Sequence, residues 1–143
     1  MPKPSEIKVI KVSDPQMLEK VFAIRREVFV LEQKCPPELE WEHEEEAHHF
    51  LATADGEPAG AARWRKTENG YKLERFSVLK IHRGKGIAHL LVRAVLADLP
   101  ADADYIYLHA QVTAMPLYEK SGFERVGEQF EEAGIMHYKM VKK

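Results

Sequence analysis

The chain has 143 residues, 45% hydrophobic and 31% charged, which is the size and composition of one globular domain able to bury a core without a metal or disulfide staple. A formal charge of -2 supplies no basic field for nucleic acid, and no apolar run approaches the roughly 20 residues of a membrane helix. Cys35 is the only cysteine, so an internal disulfide is excluded; with no apolar leader after Met1-Pro2-Lys3-Pro4-Ser5, a cytoplasmic protein without membrane or nucleic-acid partners is expected.

Ile7 to Val12 has the residue types of a first strand. Asp14-Pro15 then reads as a side-chain cap with proline at the first helical position. Leu18, Val21, Phe22, the stem of Arg25, Val28 and Phe29 follow at helical spacing, and Cys35-Pro36-Pro37 ends any helix. Glu38 to Glu46 carries six glutamates in nine positions and is expected to be irregular. Such a run is a solvated loop or a local field for a cationic substrate.

Three strand-like runs follow, His49–Ala54, Ala59–Arg65 and Tyr71–Leu79. Asp55-Gly56 and Asn69-Gly70 separate them, pairs that suit the positive φ angles of tight hairpins, so an antiparallel meander is expected. His48 and His49 stand next to acidic residues, yet neighbours on a strand face opposite ways and cannot readily share an ion; no metal is expected.

Beyond Gly86 the period changes. Ile87, Leu90, Leu91, Ala94, Val95 and Leu99 sit at helical spacing before Pro100, and Tyr105–Ala110 reads as a buried strand. Strand, glycine loop, helix and strand make a βαβ crossover, which requires the two strands to be parallel. A short helix over Ala114–Ser121, stopped by Gly122, and two last strands near Phe123–Val126 and Ile135–Val141 complete the layout. The fold expected is α/β, a single domain over residues 1–143, with a mixed sheet that is antiparallel in its first half, parallel at its centre and flanked by helices.

Arg83-Gly84-Lys85-Gly86-Ile87-Ala88 lies where strand gives way to helix. A helix N-terminus offers unpaired N–H groups and partial positive charge, glycines let backbone approach a ligand, and two cations add to the field. A diphosphate fits these features; a plain structural turn would use the glycines equally well. The lysine-hydroxyl pair of a nucleotide P-loop and the three-glycine dinucleotide pattern are both absent.

The strand–Arg-x-x-Gly-x-Gly/Ala–helix arrangement, filled by Arg83, Gly86 and Ala88, resembles the coenzyme A signature of the GNAT superfamily of N-acetyltransferases. Glu74–Leu79 is similar to that family's fourth strand, and Leu117-Tyr118-Glu119-Lys120-Ser121-Gly122-Phe123 to its later LYEK-x-GF segment. Val21–Gln33 resembles the first helix of the bacterial ElaA/YjcF-like subgroup, and Phe130–His137 its C-terminal EDGIPH stretch, with Ala133 and Met136 departing from it.

The resemblance implies acetyl-coenzyme A as co-substrate and direct transfer of the acetyl group to the amine of a small-molecule acceptor. It implies main-chain contacts to the coenzyme at Phe76, Val78 and Leu79 and in the Arg83–Ala88 loop. It also implies a role for the Tyr118 hydroxyl in protonating the departing thiolate. Read without the resemblance, Tyr118 is equally a core tyrosine. Glu74, Glu27, Glu32 and His137 stand as alternative proton acceptors, Glu74 foremost. Arg25, Arg26, Glu27 and His137 are candidates to line the acceptor site, and each of these charges could instead face solvent. Homodimers are common in the family. A non-catalytic acyl-coenzyme A sensor on the same fold stays open, because fold alone does not guarantee activity.

Overall fold

The computed structural model describes residues 6–32, 47–132 and 134–142. The acidic run Glu38–Glu46, Cys35, Ala133 and the side chain of Glu32 lie outside the described residues. In chain order the elements are β1 (Ile7–Lys11), α1 (Pro15–Arg25), a π-helical segment (Arg26–Glu32), β2 (His48–Ala54), β3 (Glu57–Thr67) and β4 (Gly70–Val78). There follow a 3-10 turn (Lys80–His82), α2 (Ile87–Asp98), β5 (Ile106–Gln111), a second 3-10 turn (Val112–Ala114), α3 (Met115–Glu119), β6 (Phe123–Glu132) and β7 (Ile135–Lys142). The strands form one seven-stranded sheet in the order β1-β2-β3-β4-β5-β7-β6. Among the described strands only β4 and β5 run parallel, as a crossover through α2 demands.

Local signals set most of these elements. The Asp14 carboxylate accepts from the Met17 N–H at 2.8 Å, with Pro15 opening the helix. On one face of the sheet, Val21 and Ile24 of α1 pack on Leu51 and Ala61. On the other face, Ile87, Leu91, Val92 and Val95 of α2 pack on Phe50, Ala52, Trp64, Leu73 and Leu108. Strand alternation sends His48 out to stack on Trp64 at 4.1 Å and His49 in towards Phe22, so the two imidazoles face opposite sides.

The structure departs from the sequence reading in four places. Helical spacing through Phe29 predicts a continuing α-helix, but Arg26–Glu32 is wound as a π-helix, the wider winding that recurs at functional sites. The first hairpin turns on Asp55 and Gly56, both with positive φ as expected. The second turns on Glu68 and Asn69 instead, and Gly70 is the first residue of β4. The short helix is also split, a 3-10 turn preceding α3. Finally, β6 runs on to Glu132 because its partner β7 offers a hydrogen-bonding edge that length.

Gly70 is glycine for two reasons: its φ is 146°, and a Cβ there would lie 2.5 Å from the Tyr105 carbonyl oxygen. That carbonyl accepts from the Tyr71 N–H at 2.8 Å, the first bond between the two central segments. Gly70→Ala is therefore expected to lower stability by about 1–3 kcal/mol, read from urea unfolding. A wild-type midpoint would show that this close approach is not a constraint.

Candidate active site

The central strands part early. Parallel pairing covers only Tyr71↔Ile106, Lys72↔Tyr107 and Leu73↔Leu108. Past that point β5 keeps β7 on its far edge, as it does from Tyr107 onward, and β4 keeps β3, while the pairing between β4 and β5 has ended. A cavity of about 720 Å³ fills the gap, within the range of small-molecule sites. Its wall includes the β4 segment Lys72–Val78, the loop and first turn of α2, His109 and Gln111 of β5, Tyr118 of α3, Glu132 and His137. Val28 and Phe29 of the π-helical segment line it as well.

A bulge shapes the β4 wall. Ala61 pairs with Ser77 and Arg63 with Glu74, so β4 carries one more residue than β3 between those pairs, and Arg75 takes φ 60°. Beyond the bulge the Leu79 N–H donates to the Ala59 carbonyl at 2.8 Å. Extended-strand alternation then turns the N–H groups of Val78 and Phe76 the other way, into the gap. Leu79, expected to offer a main-chain contact, spends its N–H on β3.

At one end of the cavity the α2 N-terminus opens behind Gly84 and Gly86, whose φ angles are 85° and 79°. Open space surrounds the Cβ position of both, so their conformation rather than their size calls for glycine. Arg83, Gly84, Gly86, Ile87 and Ala88 line the wall. The Arg83 Nε donates to the Val78 carbonyl at 3.0 Å, tying the loop to the end of β4. Lys85, between the two glycines, is exposed with its Nζ 3.1 Å from His82 Nδ1, and it is not part of the wall.

Tyr118 is buried, its ring edge-on to Phe76 at 5.6 Å and to Phe123 at 6.2 Å. Burial pushes its phenol well above the ordinary range, so the hydroxyl keeps its proton at neutral pH.

Glu74 lines the wall too, but its carboxylate is taken. Oε1 accepts from Arg63 Nε at 2.9 Å and Arg65 Nε at 2.7 Å, and Lys72 Nζ is 3.4 Å from Oε2. Burial alone would raise its pKa, yet Arg63, Lys72, Arg75 and Arg65 together bring it from the ordinary 4.5 down to about 2. So weak a base is a poor proton acceptor, which corrects the role expected of Glu74. Arg25 and Glu27, expected to line the acceptor site, are not part of this wall. Arg25 is 1% exposed, its guanidinium 5.6 Å from the Phe22 ring centre, and Glu27 faces solvent. Helix α1 turns the Arg25 stem inward with Val21 and Ile24, as its apolar spacing required. His137 does line the cavity and is 7% exposed.

Other wall residues had no role assigned from the sequence. Ser77 Oγ and His89 Nδ1 are buried with no hydrogen-bond partner among the described residues, and both line the cavity. Polar atoms left so are costly unless a ligand or water meets them. Together with the open β4 edge and the α2 N-terminus, they suit a long, hydrogen-bonding, anionic ligand such as a coenzyme A thioester. His109 carried no functional signal in the sequence and Glu132 only its place in the EDGIPH-like stretch; the pairing of β5, β7 and β6 brings both to this wall.

A family model described as an acetyltransferase (GNAT) domain matches residues 10–143, and the chain belongs to that family. Its reaction class is acyl transfer with an acyl-coenzyme A co-substrate. The chain is 37% identical over 139 residues to the uncharacterised N-acetyltransferase YjcF of Bacillus subtilis, covering 95% of this chain and 99% of that protein. An acyl-CoA N-acyltransferase from Pseudomonas aeruginosa superposes with a TM-score of 0.81 at 29% identity, covering 97% of this chain and 99% of the other. Escherichia coli ElaA does so with 0.79 at 25% identity over the same shares.

The Glu74 cluster yields a sign-definite expectation. A folded pKa below the unfolded one stabilises the fold above pH 4.5, and that contribution fades as pH falls from 4.5 through about 2. The shift corresponds to on the order of 3 kcal/mol. Glu74→Gln leaves Arg63 buried without its carboxylate and should cost about 3–5 kcal/mol at pH 7. It should also flatten the acid limb of a stability–pH curve measured by urea unfolding. An unaltered acid limb would mean that the cluster is not coupled to folding.

Proposed function

We propose that the protein transfers the acetyl group of acetyl-coenzyme A to the amine of a small-molecule acceptor by direct attack, with no covalent enzyme intermediate. The observation that carries this reading is the continuity of the cavity. One gap runs from the α2 N-terminus, along the unpaired edge of β4, past Tyr118 to the β5–β7 wall. The coenzyme pyrophosphate belongs at the N–H groups behind Gly84 and Gly86, where backbone donors and the helix dipole favour an anion. The pantetheine arm, itself a chain of amides, extends β4 on its open side. Its thioester oxygen then meets the N–H groups of Phe76 and Val78, which stabilise the charge that grows there during attack.

Tyr118 supplies the proton for the leaving thiolate. A thiol with an ordinary pKa of about 8.5 leaves tolerably without help, so this assistance is modest. Tyr118→Phe is expected to lower turnover about 10²-fold or somewhat less while acetyl-coenzyme A binding, measured calorimetrically, stays nearly intact. Unchanged turnover at saturating substrates would remove Tyr118 from the chemistry. The reading as a whole is tested by coenzyme A release against a panel of small amines. Binding of acetyl-coenzyme A without turnover of any amine would make the protein a sensor, and absence of binding would end the coenzyme assignment.

A further inference from the structure

Acyl transfer to an amine needs a proton acceptor, because an aliphatic amine with a pKa of about 10 arrives as an ammonium ion. With Glu74 held by two arginines, attention moves to the opposite wall. There β5, β6 and β7 bring three side chains to one sheet face: His109, Glu132 and His137. His137 pairs with Gln111 on one side and Phe130 on the other, and strand alternation carries His109 and Glu132 onto the same face. The Phe130 ring braces both imidazoles, stacked on His137 at 5.8 Å and edge-on to His109 at 5.0 Å.

The hydrogen bonding of His137 decides its tautomer. Nδ1 lies 2.7 Å from the Ile135 carbonyl oxygen, which can only accept, so Nδ1 carries a hydrogen. In the neutral ring Nε2 is then left with its lone pair, 3.8 Å from Glu132 Oε2. His109 Nδ1 is 3.6 Å from Glu132 Oε1. Both contacts are looser than the 2.7–2.9 Å bonds that hold Glu74, so the rings orient the Glu132 carboxylate and leave its oxygens more accessible than those of Glu74. The Glu132 carboxyl is held below its usual range chiefly by His109, with Lys72 and His137 adding and burial opposing. It is an anion at neutral pH, facing the cavity.

We propose that Glu132 receives the acceptor as a primary ammonium ion and that His137 Nε2 removes its proton, with His109 positioning the carboxylate. This rests on the acetyl-transfer reading and adds its missing base. The protons balance. R–NH3+ gives one proton to His137, which passes it to solvent. The amine nitrogen bonds to the thioester carbon, and the C–S bond breaks. The thiolate takes a proton from Tyr118, and the second proton lost by nitrogen restores the phenol. The products are the N-acetyl amide, coenzyme A thiol and one released proton.

An imidazole is the ordinary side chain that takes up and gives off protons near neutral pH. Glu132 and Phe130 face His137, with His109 on the other side of Phe130 and Lys72 and Glu74 lining the same cavity, and the two carboxylates stay ionised throughout that range. In the wild-type protein kcat/KM for an accepted amine should rise with pH along a single-proton limb and then level. In His137→Gln the value at pH 7 should fall about 10²-fold or more, and the limb should follow the amine's own ionisation up to about pH 10. Affinity for acetyl-coenzyme A should be unaffected. Glu132→Gln, on a side chain 45% exposed and so safe for folding, should raise KM for the amine about tenfold or more while affecting kcat less. A wild-type protein that turns over amines, together with variants that keep both its rates and its pH profile, would overturn this inference alone. A wild-type protein that binds acetyl-coenzyme A and acetylates no amine would overturn the acetyl-transfer reading and this inference with it.

Discussion

Beyond Leu73 and Leu108 the two central strands stop sharing hydrogen bonds, and the site is arranged around that parting. A strand edge buried inside a protein is costly unless its N–H and C=O groups find partners. Here β7 holds the far edge of β5 and β3 the far edge of β4, so the two edges that face each other are left open. The bulge at Arg75 adds twist where the separation begins, and the loop behind it delivers the α2 N-terminus to the same opening. An unsatisfied β edge and an unsatisfied helix end thus face one cavity. A ligand with a phosphate at one end and amides along its length meets both requirements.

Electrostatics divides the walls by task. Arg63 is fully buried and depends on Glu74 across the strand pair, with Arg65 and Lys72 closing the cluster. A buried cluster of this kind adds little net stability over an apolar pair of the same volume, and losing one member is far costlier than never having had it. Its chemical effect is to withdraw Glu74 from proton traffic. The contrast with Glu132 is instructive: the same side chain, on the same cavity, flanked by imidazoles instead of guanidinium groups, keeps its oxygens available.

Much of the fold was legible in the sequence because its signals are local. Asp14-Pro15 starts a helix by capping geometry, Asp55-Gly56 turns a hairpin by φ preference, and the change of period after Gly86 marks α2. The loop chemistry was legible for the same reason, since Gly84 and Gly86 owe their identity to their own backbone angles. Where the reading failed, a distant partner had intervened. Gly70 was taken for a turn residue, but its constraint is the Tyr105 carbonyl.

The sequence by itself determined the main helices and strands and the glycine loop before α2, each encoded in a short contiguous stretch by periodicity, capping and turn chemistry, and the parallel crossover followed from their order. Only the tertiary structure decided which carboxylate is free. Glu74 and Glu132 look alike in the chain, and their difference lies in the register that sets one beside Arg63 and the other near His109 and His137. Register between strands distant in sequence is a property of the closed core and is not written in either strand alone.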